Sequence, residues 1–85
     1  MDLRIVTLQR GWVVVGEFKK GDNDWHELLN SSVIRRWGTT KGVGQLALEG
    51  PQSNTILDKC GDMDLPTCAI IKTQKCDYSK WEGKY

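Results

Sequence analysis

Apolar positions along the 85-residue chain fall into short runs with the spacing of strands rather than of long helices. Leu3 to Leu8 is apolar and β-branched. In Gly11–Phe18, GWVVVGEF, alternation sets Trp12, Val14, Gly16 and Phe18 on one face and Val13, Val15 and Glu17 on the other. The pattern predicts a strand buried on both faces where it starts and solvated where it ends. KKGDND is a polar turn in which Gly21 can take positive φ, so Trp12–Lys19 and Trp25–Leu29 are expected to pair as a hairpin. Asn30-Ser31-Ser32 reads as a break. Val33–Trp37 then forms a further strand, with Val33, Arg35 and Trp37 on one face and Ile34 and Arg36 on the other.

The glycine–threonine run ends that strand. Val43, Leu46 and Ala47 recur at helical spacing until Gly50-Pro51 stops the chain, which predicts a helix of about two turns. So short a helix holds only when its apolar face packs on a sheet. TILDKCG, ending at Gly61, is a short strand, and Thr67–Gln74 is the last strong one, with Ala69, Ile70 and Ile71 continuous and apolar. Trp81 is expected to pack back on the core. The fold class that results is mostly β (α+β): a small curved antiparallel sheet or open barrel with one short helix, residues 1–85 forming a single domain.

Size narrows the picture. A chain this short buries little more than half of its unfolded surface; its four tryptophans, two tyrosines and one phenylalanine are expected to help, and association into a homo-oligomer is expected. The formal net charge of +1 excludes the basic surplus of a dedicated polyanion binder, and duplex nucleic acid is not an expected partner. No apolar run reaches the roughly 18–20 residues of a membrane span, and MDLRIVTLQR lacks the layout of a signal peptide. A soluble, cytoplasmic protein is expected. Cys60, Cys68 and Cys76 are odd in number, in keeping with a reducing compartment. With no C-x-x-C pair and His26 far upstream, they point to no metal site.

Gly42–Ala47, GVGQLA, has the letters of a dinucleotide fingerprint, but the two-turn helix is too short to cross a sheet in a βαβ unit. Lys41 lacks the following Ser or Thr of a phosphate-binding Walker loop. What survives is local. Gly38, Gly42 and Gly44 let backbone approach a ligand, while Thr39, Thr40 and Lys41 add donors beside unpaired helix amides. Arg35 and Arg36 point to opposite sheet faces, so one of them reaches the same place, and Trp37 offers a flat ring for a base. The same residues equally describe an ordinary strand-to-helix loop with a core tryptophan. His26 has only Asp24 and Glu27 for polar company, and with Asp22 and Glu17 it marks a solvated hairpin tip without a calcium-loop layout. No Ser–His, Cys–His or metal constellation indicates catalysis or a cofactor, so catalytic residues are expected to be absent.

LQRGWVVVG, VIRRWGTTKGVGQLALEGP and AIIKTQKCDYSKW together resemble a family of small uncharacterised phage and prophage proteins over nearly the whole chain. The resemblance is carried by Arg36, Trp37, Gly38, Thr39, Thr40, Gly42, Gly44, Leu46, Ala47, Gly50, Ile70, Ile71, Cys76 and Trp81. It implies a phage setting in the cytoplasm of an infected bacterium. There, a small binding protein can counter host anti-phage defence by sequestering a nucleotide immune signal of cyclic-oligonucleotide or ADP-ribose type. The ligand-binding residues expected for that task are Arg35, Arg36, Trp37, Gly38, Thr39, Thr40, Lys41, Gly42 and Gly44. The alternative is an interaction protein that inhibits a host protein or assembles with a phage one, with Trp37 and the arginines as its hot spot.

Overall fold

In the computed structural model, which describes residues 2–22 and 24–85, the run Val13–Gly16 is buried at every position. The reason is topological. Its strand, β2 (Val13–Lys19), lies at the centre of one antiparallel sheet ordered β4-β3-β2-β1-β5. β1 (Leu3–Leu8) pairs with β2 from Leu3↔Glu17 to Thr7↔Val13. β3 (Trp25–Arg36) pairs through Lys19↔Glu27 and Phe18↔Leu28, which is the expected hairpin; Asn23 of its turn lies outside the described residues. Flanking β2 and β3 are β4 (Ile56–Pro66) on one side and, beyond β1, β5 (Ile70–Lys75).

Asn30-Ser31-Ser32 does not break the chain as the sequence predicts; β3 runs straight through it as a twelve-residue strand. The register shifts there, and Asn30 takes φ 49°, the signature of a bulge. The polar groups are satisfied across the sheet. The Asn30 N–H donates to the Asp62 carboxylate at 2.9 Å, the Ser31 hydroxyl donates to the Gly61 carbonyl, and Lys59 donates to the Asn30 side-chain oxygen at 2.9 Å. Gly16 faces this bulge. A Cβ there would stand 2.7 Å from Leu28 Cγ and 3.0 Å from the Leu29 carbonyl oxygen, so only glycine lets β3 come this close.

Two further departures lie at the far corner. β4 is longer than TILDKCG, and Thr67–Ala69 is a 3-10 turn, so the last strand begins at Ile70. The Thr67 N–H bonds to the Asp24 carbonyl at 2.8 Å, and the Cys68 carbonyl accepts from the Gln9 side chain at 2.9 Å. Three residues thus join β4 and β5, the two edges of the sheet. Such a link is possible only because the sheet curls until those edges approach at one corner, leaving an open barrel.

The curl gives the two faces different covers. Inside it, Val6, Val14, Leu28 and Leu65 are buried, with Leu8, Phe18, Val33, Met63 and Ile70 against them. Outside it, Leu3, Ile5, Val13, Val15 and Ile34 are roofed by α1 (Val43–Glu49) and α2 (Tyr78–Trp81) through Leu46, Ala47 and Trp81. α1 has the bounds its apolar spacing predicts, and α2, which that spacing does not predict, begins at an Asp77 side-chain cap on Ser79. No described helix is long and apolar enough to cross a membrane.

Candidate functional site

The residues expected to bind a ligand divide into a loop and a strand end. In the loop, the threonine hydroxyls and two backbone N–H groups are engaged within the loop, while Lys41 is exposed. The Gln45 side-chain oxygen accepts from the Thr40 N–H at 3.0 Å, the Thr40 hydroxyl at 3.2 Å and the Lys41 N–H at 2.9 Å, while the Thr39 hydroxyl donates to the Gly42 carbonyl at 2.9 Å. A glutamine in the first turn that reaches back over the preceding residues is the logic of a capping box, and Gln45 was the signal for it in the sequence. Gly38, at φ 65°, closes on Asn54, whose carbonyl carbon would lie 2.3 Å from a Cβ, so its small size serves a close backbone contact. Gly44 sits over Gln74, and Gly42 at φ 82° opens α1.

At the strand end the chemistry faces water. Trp37 is 44% exposed and therefore not a core residue, and its carbonyl accepts from the Thr55 hydroxyl at 2.6 Å. Arg36 is exposed beside it, on the opposite face from Arg35. Arg35 lines a cleft of about 550 Å³ between the end of β3, Asp58 of β4 and the β1–β2 turn. Val13, Val33 and Ile34 also line it, and Arg10, Gly11 and Trp12 form its far wall. The Arg35 Nε–H donates to Asp58 Oδ2 at 2.7 Å, with a longer 3.4 Å contact from its Nη2 to Oδ1.

Arg10 and Trp12 are the functional candidates that sequence reasoning missed. Their signal was the arginine–glycine–tryptophan turn at the mouth of the strongest strand, but a turn becomes a wall only when β3 and β4 fold opposite it. Trp12 is 59% exposed. Arg10 holds φ 67° and ψ 18°, the left-handed region, with Gly11 beside it at φ 81°. Among the described residues, no hydrogen bond or ion pair engages the Arg10 side chain.

Elsewhere the titratable groups have structural work. His26 Nδ1 accepts the Gly21 N–H at 3.0 Å and its ring lies 5.3 Å from Phe18, tying the β2–β3 turn. Backbone N–H groups of Asp24 and Trp25 bond to the Asp22 carboxylate and hold it below the usual range. Trp25 is 51% exposed, between a cavity lined by Asp22, Glu27 and Asp64 and another lined by Pro66, Thr67 and Cys68. The three cysteines are free thiols, and burial pushes that of Cys76 up to about 12. Among the described residues, no three His, Cys, Asp or Glu side chains are placed to hold a metal ion. No protein-family model, no curated protein and no solved structure matches the chain.

Proposed function

We propose that this protein is a non-enzymatic binder that captures a nucleotide signal, of cyclic-oligonucleotide or ADP-ribose type, in the cleft between Arg10–Trp12 and Arg35. In the phage setting that the resemblance implies, capture in the host cytoplasm silences the signal and so counters defence. The observation that carries the proposal is Arg10. A long side chain in the left-handed region costs on the order of 1–2 kcal/mol that glycine or asparagine would not. Here that conformation stands at the lip of a cleft, on a guanidinium with no protein partner among the described residues. Strained residues of this kind cluster at ligand clamps and switch regions, which supports the reading.

The chemistry of capture follows from the lining. A base stacked on Trp12 gains roughly 1–3 kcal/mol in comparable single-strand sites, and a guanidinium can meet a phosphate with two parallel hydrogen bonds. The cleft volume lies within the roughly 300–1,000 Å³ of small-molecule sites. Arg36, Trp37 and Lys41 are exposed but lie outside the cleft lining, so capture rests on Arg10, Trp12 and Arg35. The ligand leaves as it arrived. The test is calorimetric titration of the protein with cyclic di- and trinucleotides and with ADP-ribose. One of them is expected to bind, and Arg10→Ala and Trp12→Ala are each expected to weaken it at least tenfold. Silence across the panel contradicts the proposal.

A second reading, capture of a protein partner, is favoured by Trp25, an exposed ring outside the cleft. Tryptophan and arginine dominate protein interfaces. The two part at one substitution: loss of anti-defence activity in Trp25→Ala with full activity in Trp12→Ala marks a protein interface.

A further inference from the structure

We infer that Asp58 is the specificity-determining residue of the cleft, accepting a hydrogen bond from a ribose hydroxyl of the bound nucleotide; the inference rests on the cleft being the nucleotide site. A carboxylate is out of place in a site for a bare anion. Asp58 lines the same cavity as Arg10 and Arg35, repels an incoming phosphate and occupies one edge of the Arg35 guanidinium. Its two oxygens are not equally used. Oδ2 takes the 2.7 Å bond from Arg35 Nε, whereas Oδ1 has only the 3.4 Å contact, longer than an ordinary hydrogen bond. Oδ1 therefore retains open lone pairs, on a side chain that is 47% exposed.

What suits this lining is a ligand with three parts: a flat ring for Trp12, an anion for Arg10 and the open edge of Arg35, and a neutral hydroxyl donor for Asp58 Oδ1. A ribonucleotide has all three, and a carboxylate bonded to ribose hydroxyls is the way acidic side chains select that sugar in dinucleotide sites. Inorganic phosphate and pyrophosphate have only the anion. By opposing them, Asp58 keeps the cleft from filling with the anions that abound in a cell, which is specificity gained by repulsion as well as by attraction. The Arg35–Asp58 pair is exposed on both sides, 62% and 47%, so its partners can shift toward a ligand without a large loss.

The experiment titrates ADP, 2′,3′-dideoxy-ADP and pyrophosphate calorimetrically into the wild-type protein, Asp58→Ala and Asp58→Asn. The wild type is expected to favour ADP over the dideoxy analogue about tenfold. Asp58→Ala should reduce that preference to within about twofold and raise pyrophosphate affinity severalfold; Asp58→Asn, which keeps an acceptor without the charge, should raise pyrophosphate affinity yet retain part of the preference. Equal binding of ADP and its dideoxy analogue by the wild type, or an unchanged preference in Asp58→Ala, overturns the role of Asp58 while the cleft stands as a binding site. If neither nucleotide nor pyrophosphate binds the wild type, the ribose-selecting role of Asp58 falls, and the titration with cyclic nucleotides and ADP-ribose decides separately whether the cleft is the nucleotide site.

Discussion

Trp81 donates its indole N–H to the carbonyl oxygen of Leu46 at 2.9 Å, and both side chains are fully buried. The bond pins α2 to α1 and closes the outer core over β1 and β2. The same carbonyl also takes the Gly50 N–H that ends α1. Leu46→Ala is therefore expected to lower the unfolding free energy by about 2–5 kcal/mol. Trp81→Phe, which keeps most of the ring but loses the bond, should cost about 1–3 kcal/mol. Trp12→Ala, at the cleft, should stay within about 0.5 kcal/mol of the wild type. Urea denaturation measures all three, and a Trp12→Ala cost equal to that of Leu46→Ala would make the cleft wall a piece of scaffold.

Arg10 separates stability from function. Glycine adopts φ 67° freely, so Arg10→Gly is expected to leave stability unchanged or to raise it by up to about 1 kcal/mol. The same substitution should weaken nucleotide binding at least tenfold. Thermal melting and titration of one variant give both readings, and a large stability loss would show that the arginine is needed by the turn itself.

Burial raises the Cys76 thiol from its ordinary 9.0 to about 12. Burial, with the Glu17 carboxylate and Tyr78 nearby, raises the Tyr85 hydroxyl from 10.0 to about 12. Both groups hold in the folded state a proton that the unfolded chain releases. Their contribution is fully present below about pH 9 and is lost as pH rises toward 12. Denaturation midpoints should fall across that window. At pH 8, a thiol reagent should modify exposed Cys60 and Cys68 quickly and Cys76 slowly; equal rates at all three would contradict the burial of Cys76.

Leu48 and Ile71 are exposed along with Trp12, Trp25 and Trp37. So many large apolar side chains on so small a protein favour contact between copies. Light scattering at tens of micromolar is expected to give a mass of at least two chains, and a clean monomer there would oppose it.

What was legible in the sequence was what local signals encode. α1 was readable to the residue because Gly42 and Gly50-Pro51 punctuate an apolar face three and four residues apart. The Trp12–Lys19 strand was readable from its alternation. The continuation of β3 through Asn30–Ser32 was not, because the group that accepts the Asn30 N–H is Asp62, thirty-two residues along the chain. Thr67–Ala69 looked like strand because its neighbours are apolar; its turn is set by Asp24 and Gln9, both remote in sequence. The site divided in the same way. Arg35 and the exposed arginine–tryptophan end of β3 could be picked out by residue type, whereas Arg10, Trp12 and Asp58 join them only through the curl of the sheet.

Capture without turnover is the central claim, and a depletion-and-recovery assay tests it most directly. The protein is incubated with a slight deficit of each candidate nucleotide, the filtrate is assayed for loss of the nucleotide, and the retained protein is then heat-denatured and its supernatant chromatographed. Sequestration in the cleft predicts that one nucleotide disappears from the filtrate and returns intact in near-stoichiometric amount, and that Arg10→Gly reduces its disappearance. A cleaved product accumulating over many turnovers would mean an enzyme, and no depletion of any nucleotide would contradict the account.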